Sequence, residues 1–146
     1  MRTPPILGIA TDYDGTLAEN DVVPASTIAA LARIRAAGRR LILVTGRHLP
    51  DLRQVFGGLS LFDAAVVEKG GLLYFPSSGE VRALAPAPSA RLVALLRERG
   101  VGELLVGQTI IATHADHEAL VREAIVELGL DLEVILNTDA LMVLPP

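Results

Sequence analysis

The stretch Ile9-Ala10-Thr11-Asp12-Tyr13-Asp14-Gly15-Thr16-Leu17 decides the reading of this chain: an apolar run closes on two carboxylates two residues apart, followed at once by Gly-Thr-Leu. In a strand, residues i and i+2 point to the same face, and the carbonyl between them offers a further oxygen. A hard cation such as Mg²⁺ takes that kind of oxygen set, with waters and a substrate phosphate completing its shell. One carboxylate can then bond to phosphorus, while the other gives a proton to the leaving oxygen and later takes one from water. Gly15 permits a sharp turn at this point, and Thr16 adds a hydroxyl. A pair of turn carboxylates closing a buried strand is the plainer alternative; the whole run, rather than the pair alone, favours the chemical reading.

Working outward, residues 6–11 form a near-continuous apolar run, as expected of a strand buried on both faces of a parallel sheet. Pro24 suits the first turn of a helix, Ile28, Leu31, Ile34 and Arg35 continue at helical spacing, and Gly38 supplies a stop. Residues 41–44 (Leu-Ile-Leu-Val) then read as a second buried strand. Strand, helix and strand with short connections make a right-handed βαβ unit whose strand ends share one rim. That geometry brings Thr45-Gly46-Arg47 beside Asp12 and Asp14. Pro50 opens a short helix ending near Gly57-Gly58, residues 64–68 form a third strand, and residues 72–75 and 81–84 form a hairpin around Pro76-Ser77-Ser78-Gly79.

Ala85-Pro86-Ala87-Pro88 breaks the pattern and reads as a linker, dividing the chain into residues 1–84 and 85–146. Beyond it, Ser89 can cap a helix running to Arg99 with Gly100 as its stop, and residues 104–106 and 109–113 look like paired strands. A second helix is expected over 116–128, capped by Asp116, and residues 132–136 and 141–144 form another strand pair. The order is αββαββ, a small sheet with helices on one face. No residue-level repeat accompanies the shared pattern of its two halves.

Composition narrows the class. Hydrophobic residues make up 51% of the 146 and aromatics 3%, so Leu, Val, Ile and Ala must fill the interior, which favours layered α/β packing. Thirteen Lys+Arg against seventeen Asp+Glu leave a charge of -4, which gives no general attraction to nucleic acid or an anionic membrane. The chain has no cysteine, no apolar run of membrane-spanning length and no signal-peptide core after Met1, so a soluble cytoplasmic protein is expected. His114 and His117 could share a helix face toward a metal, but no third ligand is evident and a solvated helix start suffices. Arg33, Arg35, Arg39 and Arg40 fit the negative end of the first helix. His48, leading a helix, is expected at the surface.

With Asp12-Tyr13-Asp14-Gly15-Thr16-Leu17 on the first strand and Val44-Thr45-Gly46-Arg47 on the second, the chain resembles the haloacid dehalogenase-like (HAD) phosphohydrolases. Glu68-Lys69-Gly70-Gly71 is similar to the Glu-Asn-Gly-Gly/Ala run of the branch that holds sugar and phosphoglycolate phosphatases. The resemblance implies a Rossmann-like parallel sheet as a partial core over 1–84, and an αββ-built cap over 85–146. It implies a Mg²⁺-dependent phosphomonoester hydrolase that acts on a small phosphorylated metabolite through an aspartyl-phosphate. Asp12 would be nucleophile and metal ligand; Asp14 would be general acid/base, and its backbone carbonyl would reach the same metal. Gly15, Thr16, Thr45 and Gly46 would surround the phosphoryl group, with Arg47 contacting substrate or covering the rim. Lys69, standing where that run has Asn, would supply a positive charge at the rim or remain a solvated lysine.

The departures carry as much as the matches. The family's Gly-x-x-Lys and Gly-Asp-x-x-Asn-Asp motifs do not occur, and Lys69 is the single lysine. The resemblance therefore implies an amino-terminal piece of a longer phosphatase, or a naturally incomplete member impaired or inactive by itself. Without the later strands the first strand would keep an unpaired edge, which invites self-association. Two other readings stand beside this one: a non-catalytic binding or assembly module of the same fold, and a receiver-like phosphoacceptor domain. The latter usually splits its acidic pair and acceptor between strands, whereas Asp12 and Asp14 share one.

Overall fold

A computed structural model describes residues 5–146. They form two compact units, divided between Arg82 and Ala83. The proline-alternating stretch 85–88 lies just beyond that division.

The first unit is built from β1 (Gly8–Asp12), α1 (Ala25–Ala36), β2 (Arg40–Val44), α2 (Leu49–Val55), β3 (Ala64–Val67), β4 (Leu72–Phe75) and β5 (Glu80–Ala83). The strands lie in the order β1-β2-β3-β4-β5. β1, β2 and β3 are parallel and β4 runs antiparallel to β3. Gly38, at a φ of +75°, ends α1 in the left-handed conformation that a side chain disfavours, so the chain turns directly into β2. The strand–helix–strand connection carries the ends of β1 and β2 to one rim.

Burial along these strands corrects one expectation. Residues 6–11 were expected to be buried on both faces, yet Ile6 and Leu7 are 66% and 71% exposed and precede the strand, which is itself mostly exposed. In β2, Leu41 and Leu43 are fully buried while Ile42 and Val44 are 36% and 41% exposed. The reason is packing on one side only: α1, α2 and the segment after them cover the face that carries Leu41, Leu43, Ala65 and Val67. Leu31, Leu52, Phe56 and Phe62 complete this core, and Tyr13 seals its upper end against Phe56, ring centroids 5.3 Å apart. An apolar run thus marks a strand without saying how many of its faces are covered.

The second unit contains α3 (Ala90–Glu98), β6 (Leu105–Val106), β7 (Ile111–His114), α4 (Glu118–Glu127), β8 (Glu133–Asn137) and β9 (Ala140–Leu144), in sheet order β6-β7-β9-β8 with antiparallel pairing throughout. The Ser89 hydroxyl accepts the Leu92 amide at 3.4 Å and so starts α3. α4 begins later than expected: a 3₁₀ turn, Ala115–His117, precedes it, and its capping position is His117, with no capping bond from a side chain. Asp116 is therefore not the cap. Leu92, Leu96, Val121, Ile125, Leu141 and Val143 form a core separate from that of the first unit. No helix among the described residues is long and apolar enough to cross a membrane.

Candidate active site

The carboxyl end of β1 is organised by Tyr13. Its side chain is fully buried, which forces Asp12 and Asp14, one residue to either side, out to the open rim. Gly15 follows at a φ of +71°, and the turn closes with the Leu17 and Ala18 amides on the Tyr13 carbonyl at 3.0 and 2.9 Å. The Thr16 hydroxyl donates to Asp12 Oδ2 at 3.5 Å. Asp12 is thus an exposed carboxylate on a short, internally hydrogen-bonded turn.

β2 supplies the opposing wall. Asp12 pairs in register with Val44, so the next residues, Thr45 and Gly46, emerge beside the acidic turn. Thr45 is buried; its Oγ1 accepts the Arg47 amide at 3.1 Å, leaving the hydroxyl hydrogen to donate elsewhere.

Arg47 is committed to carboxylates. Nε donates to both Asp14 oxygens at 3.0 Å, Nη2 to Asp14 at 2.7 Å and also to Asp21, and Nη1 to Asp51 at 2.9 Å. Its guanidinium also lies 5.4 Å from the centre of the Tyr13 ring. The hydrogen bond to Asp14, above all, holds the Arg47 pKa well above its ordinary value despite partial burial. Burial raises the Tyr13 pKa, against the lowering effect of Arg47. Asp51, in the first turn of α2 and four residues beyond Arg47, is a contact the sequence reading did not single out. Asp21 is another, brought in by a left-handed turn at Asn20 and Asp21, with φ of 51° and 64°.

His48 departs from expectation. Its side chain is 9% exposed, and Nε2 is buried with no hydrogen-bond partner among the described residues. Glu68 Oε1, on a side chain only 1% exposed, lies 3.9 Å away. Burial is the main cause of the lowered His48 pKa, opposed by Glu68 and then Asp51. The helix-leading position could not reveal this, because a residue from the end of β3 provides the cover. Beside it, Glu68 and Lys69 hold φ of 52° and 56°. The exposed Lys69 side chain crosses Gly46 so closely that a Cβ there would lie 2.6 Å from Lys69 Cε and 2.9 Å from Nζ.

Hard oxygen donors suit magnesium. Asp12 offers a carboxylate with one long hydrogen bond, and Asp14, whose side chain is held by Arg47, offers its backbone carbonyl. Among the described residues no three carboxylate or imidazole groups converge as a metal cage. His114 instead contacts Glu103, at 2.9 Å.

The model of the haloacid dehalogenase-like hydrolases matches residues 9–127, which takes in both walls of this rim. The chain belongs to that family. Among curated relatives of this HAD chain, the pyridoxal phosphate phosphatase YbhA of Escherichia coli (strain K12) is 35% identical over 112 residues, covering 73% of this chain and 41% of the relative. An HMP-PP phosphatase of Shigella flexneri is 36% identical over 88 residues, 58% of this chain and 32% of the relative. The chain therefore spans well under half the length of these relatives. A haloacid dehalogenase-like hydrolase from Bacteroides thetaiotaomicron superposes with a TM-score of 0.75 at 17% identity, over 97% of this chain and 71% of that one. A HAD subclass IIB sugar phosphatase gives 0.65 at 17% identity, over 94% and 69% of the two chains. These likenesses establish the α/β fold.

Proposed function

We propose that the HAD chain carries the nucleophile-bearing part of a magnesium-dependent phosphomonoester hydrolase that acts on a small phosphorylated metabolite. The observation that supports this reading is the register of Asp12 with Val44, which leads the chain at Thr45 and Gly46 out at the same rim as the Asp12 carboxylate. Curated relatives named as phosphatases of pyridoxal phosphate and HMP-PP support the substrate class. In this reading residues 1–84 are the catalytic core and residues 85–146 the cap, which the αββαββ order of the second unit supports.

An Asp12 carboxylate oxygen bonds to phosphorus as the ester P–O bond breaks, and Asp14, entering the step as the carboxylic acid, gives its proton to the leaving oxygen. Water then loses a proton to Asp14 and attacks the aspartyl-phosphate, releasing inorganic phosphate and restoring Asp12. The Thr45 hydroxyl and Gly46 N–H donate to the oxygens that gather charge in the transition state. Gly15 lets the turn approach the phosphoryl group, and Thr16 steadies Asp12. The Arg47 guanidinium is bonded to Asp14, Asp21 and Asp51 rather than aimed at phosphate, so its role is to orient the Asp14 side chain at the rim. Asp12 and the Asp14 carbonyl are the residues that would hold magnesium, which when bound would supply Lewis-acid charge to the phosphoryl oxygens.

Turnover of an aryl phosphate by the purified chain with magnesium, beside Asp12→Asn, tests the assignment. Phosphate release and acid-stable phosphorylation should both vanish in the variant; equal rates above the enzyme-free background would remove Asp12 from the chemistry.

A further inference from the structure

We infer that Lys69 is the phosphate-facing side-chain cation of this site, lying across Gly46 from a turn that the buried Glu68 ties to the loop after β2. This rests on the reading of Thr45 and Gly46 as the phosphoryl-binding wall.

Three observations converge. Lys69 sits in the left-handed region at φ 56°, directly after Glu68 at φ 52°. Side chains avoid that region unless surrounding contacts impose it. The imposing contact is Glu68, nearly all of whose surface is buried, with its amide donating to the Arg47 carbonyl at 2.9 Å. That bond ties the end of β3 to the loop after β2. His48, on the same loop, is buried against the Glu68 carboxylate, 3.9 Å from Oε1. The turn is therefore tied to the phosphoryl wall by its backbone, with the buried Glu68 and His48 side chains packed beside that tie.

The outcome of that grip is the position of the ammonium. Lys69 Cδ, Cε and Nζ lie within 3.0 Å of where a Gly46 Cβ would stand, so the side chain uses the space that glycine leaves. A lysine held only by solvent has no reason to lie along a glycine of the opposing loop. Arg47, the other cation nearby, has every guanidinium nitrogen on a carboxylate, so among the described residues the side-chain charge available to a phosphate at Thr45 and Gly46 is that of Lys69. An ammonium acts there as a point charge on a flexible stem. Glu68 and His48 touch no substrate in this scheme; they are positioning residues.

Inorganic phosphate, titrated into the full chain with magnesium and followed by the backbone amide shifts of Thr45 and Gly46, reads the proposal directly. Lys69→Gln should weaken phosphate about tenfold, and Lys69→Arg should recover most of the loss. Glu68→Gln should weaken it about threefold to tenfold in the wild-type background and add nothing in the Lys69→Gln background, as expected of groups acting through one another. Gly46→Ala is the second probe, since its Cβ displaces only the far end of a flexible side chain: its effect too should fade in the Lys69→Gln background. Phosphate affinity unchanged by Lys69→Gln, with the Thr45 and Gly46 shifts intact, overturns the role of Lys69 and leaves the phosphoryl wall standing. Equal losses from Glu68→Gln with and without Lys69 overturn the positioning role. Amides of Thr45 and Gly46 that do not respond to phosphate at all overturn both the wall and this inference.

Discussion

Arg47 illustrates how folding assigns a side chain its work. From its place after Thr-Gly it could serve substrate or merely cover the rim; in the fold it binds Asp14, Asp21 and Asp51 together. Removing it leaves three carboxylates facing one another. Arg47→Met should lower stability by about 1 kcal/mol at moderate salt. The loss should be larger at low ionic strength, where repulsion is less screened. Urea unfolding at two salt concentrations measures this, and a salt-independent difference would point to lost packing instead. Asp63 gives a second test. Its Oδ2 accepts the Leu41 amide at 2.9 Å and its Oδ1 meets Arg40 at 2.8 Å, and these, the amide first, hold its pKa below the usual 3.8. Because the folded pKa is depressed, the stabilisation is present above about pH 4 and disappears as pH falls through the lower folded value. Asp63→Ala should therefore cost about 1–3 kcal/mol at neutral pH. Wild type and variant should converge in acid unfolding midpoints; a constant gap down to pH 2 would exclude the linkage.

At the scale of elements, strands and helices were legible wherever local chemistry decides them. Gly38, Ser89 and Gly100 act at their helix ends as their residue types predict, and each expected strand or helix appears within a few residues of its place. The two departures have one cause. Double burial of the first strand and an Asp116 cap were inferred from local pattern, but burial depends on what covers a face, and the 3₁₀ turn Ala115–His117 takes the position that a cap would need. β1 is the end strand of the described sheet, with Ile9 36% exposed. Such an edge should pair between copies. Light scattering across a concentration series should show mass growing beyond one chain, and Ile9→Lys should suppress the growth; a constant single-chain mass would exclude edge pairing.

The described residues pack into two cores rather than one, the first closed by Tyr13, Leu41 and Phe56, the second by Leu92, Val121 and Leu141. Separately packed cores can melt separately. Leu41→Ala and Leu92→Ala, both at fully buried positions, should each cost about 2–5 kcal/mol of the unit that contains it. Calorimetry should show each substitution moving one transition; equal shifts of a single transition from both would show that the units unfold as one.

By itself the amino-acid sequence determined the family, the alternation of strands and helices, and the spacing of Asp12, Asp14 and Thr45, because period, turn chemistry and motif are properties of neighbouring residues. The burial of His48, its Glu68 partner, the Asp21 contact of Arg47 and the path of Lys69 over Gly46 belong to the tertiary structure. Each joins segments separated along the chain, and only the closing of the sheet rim brings their side chains within reach.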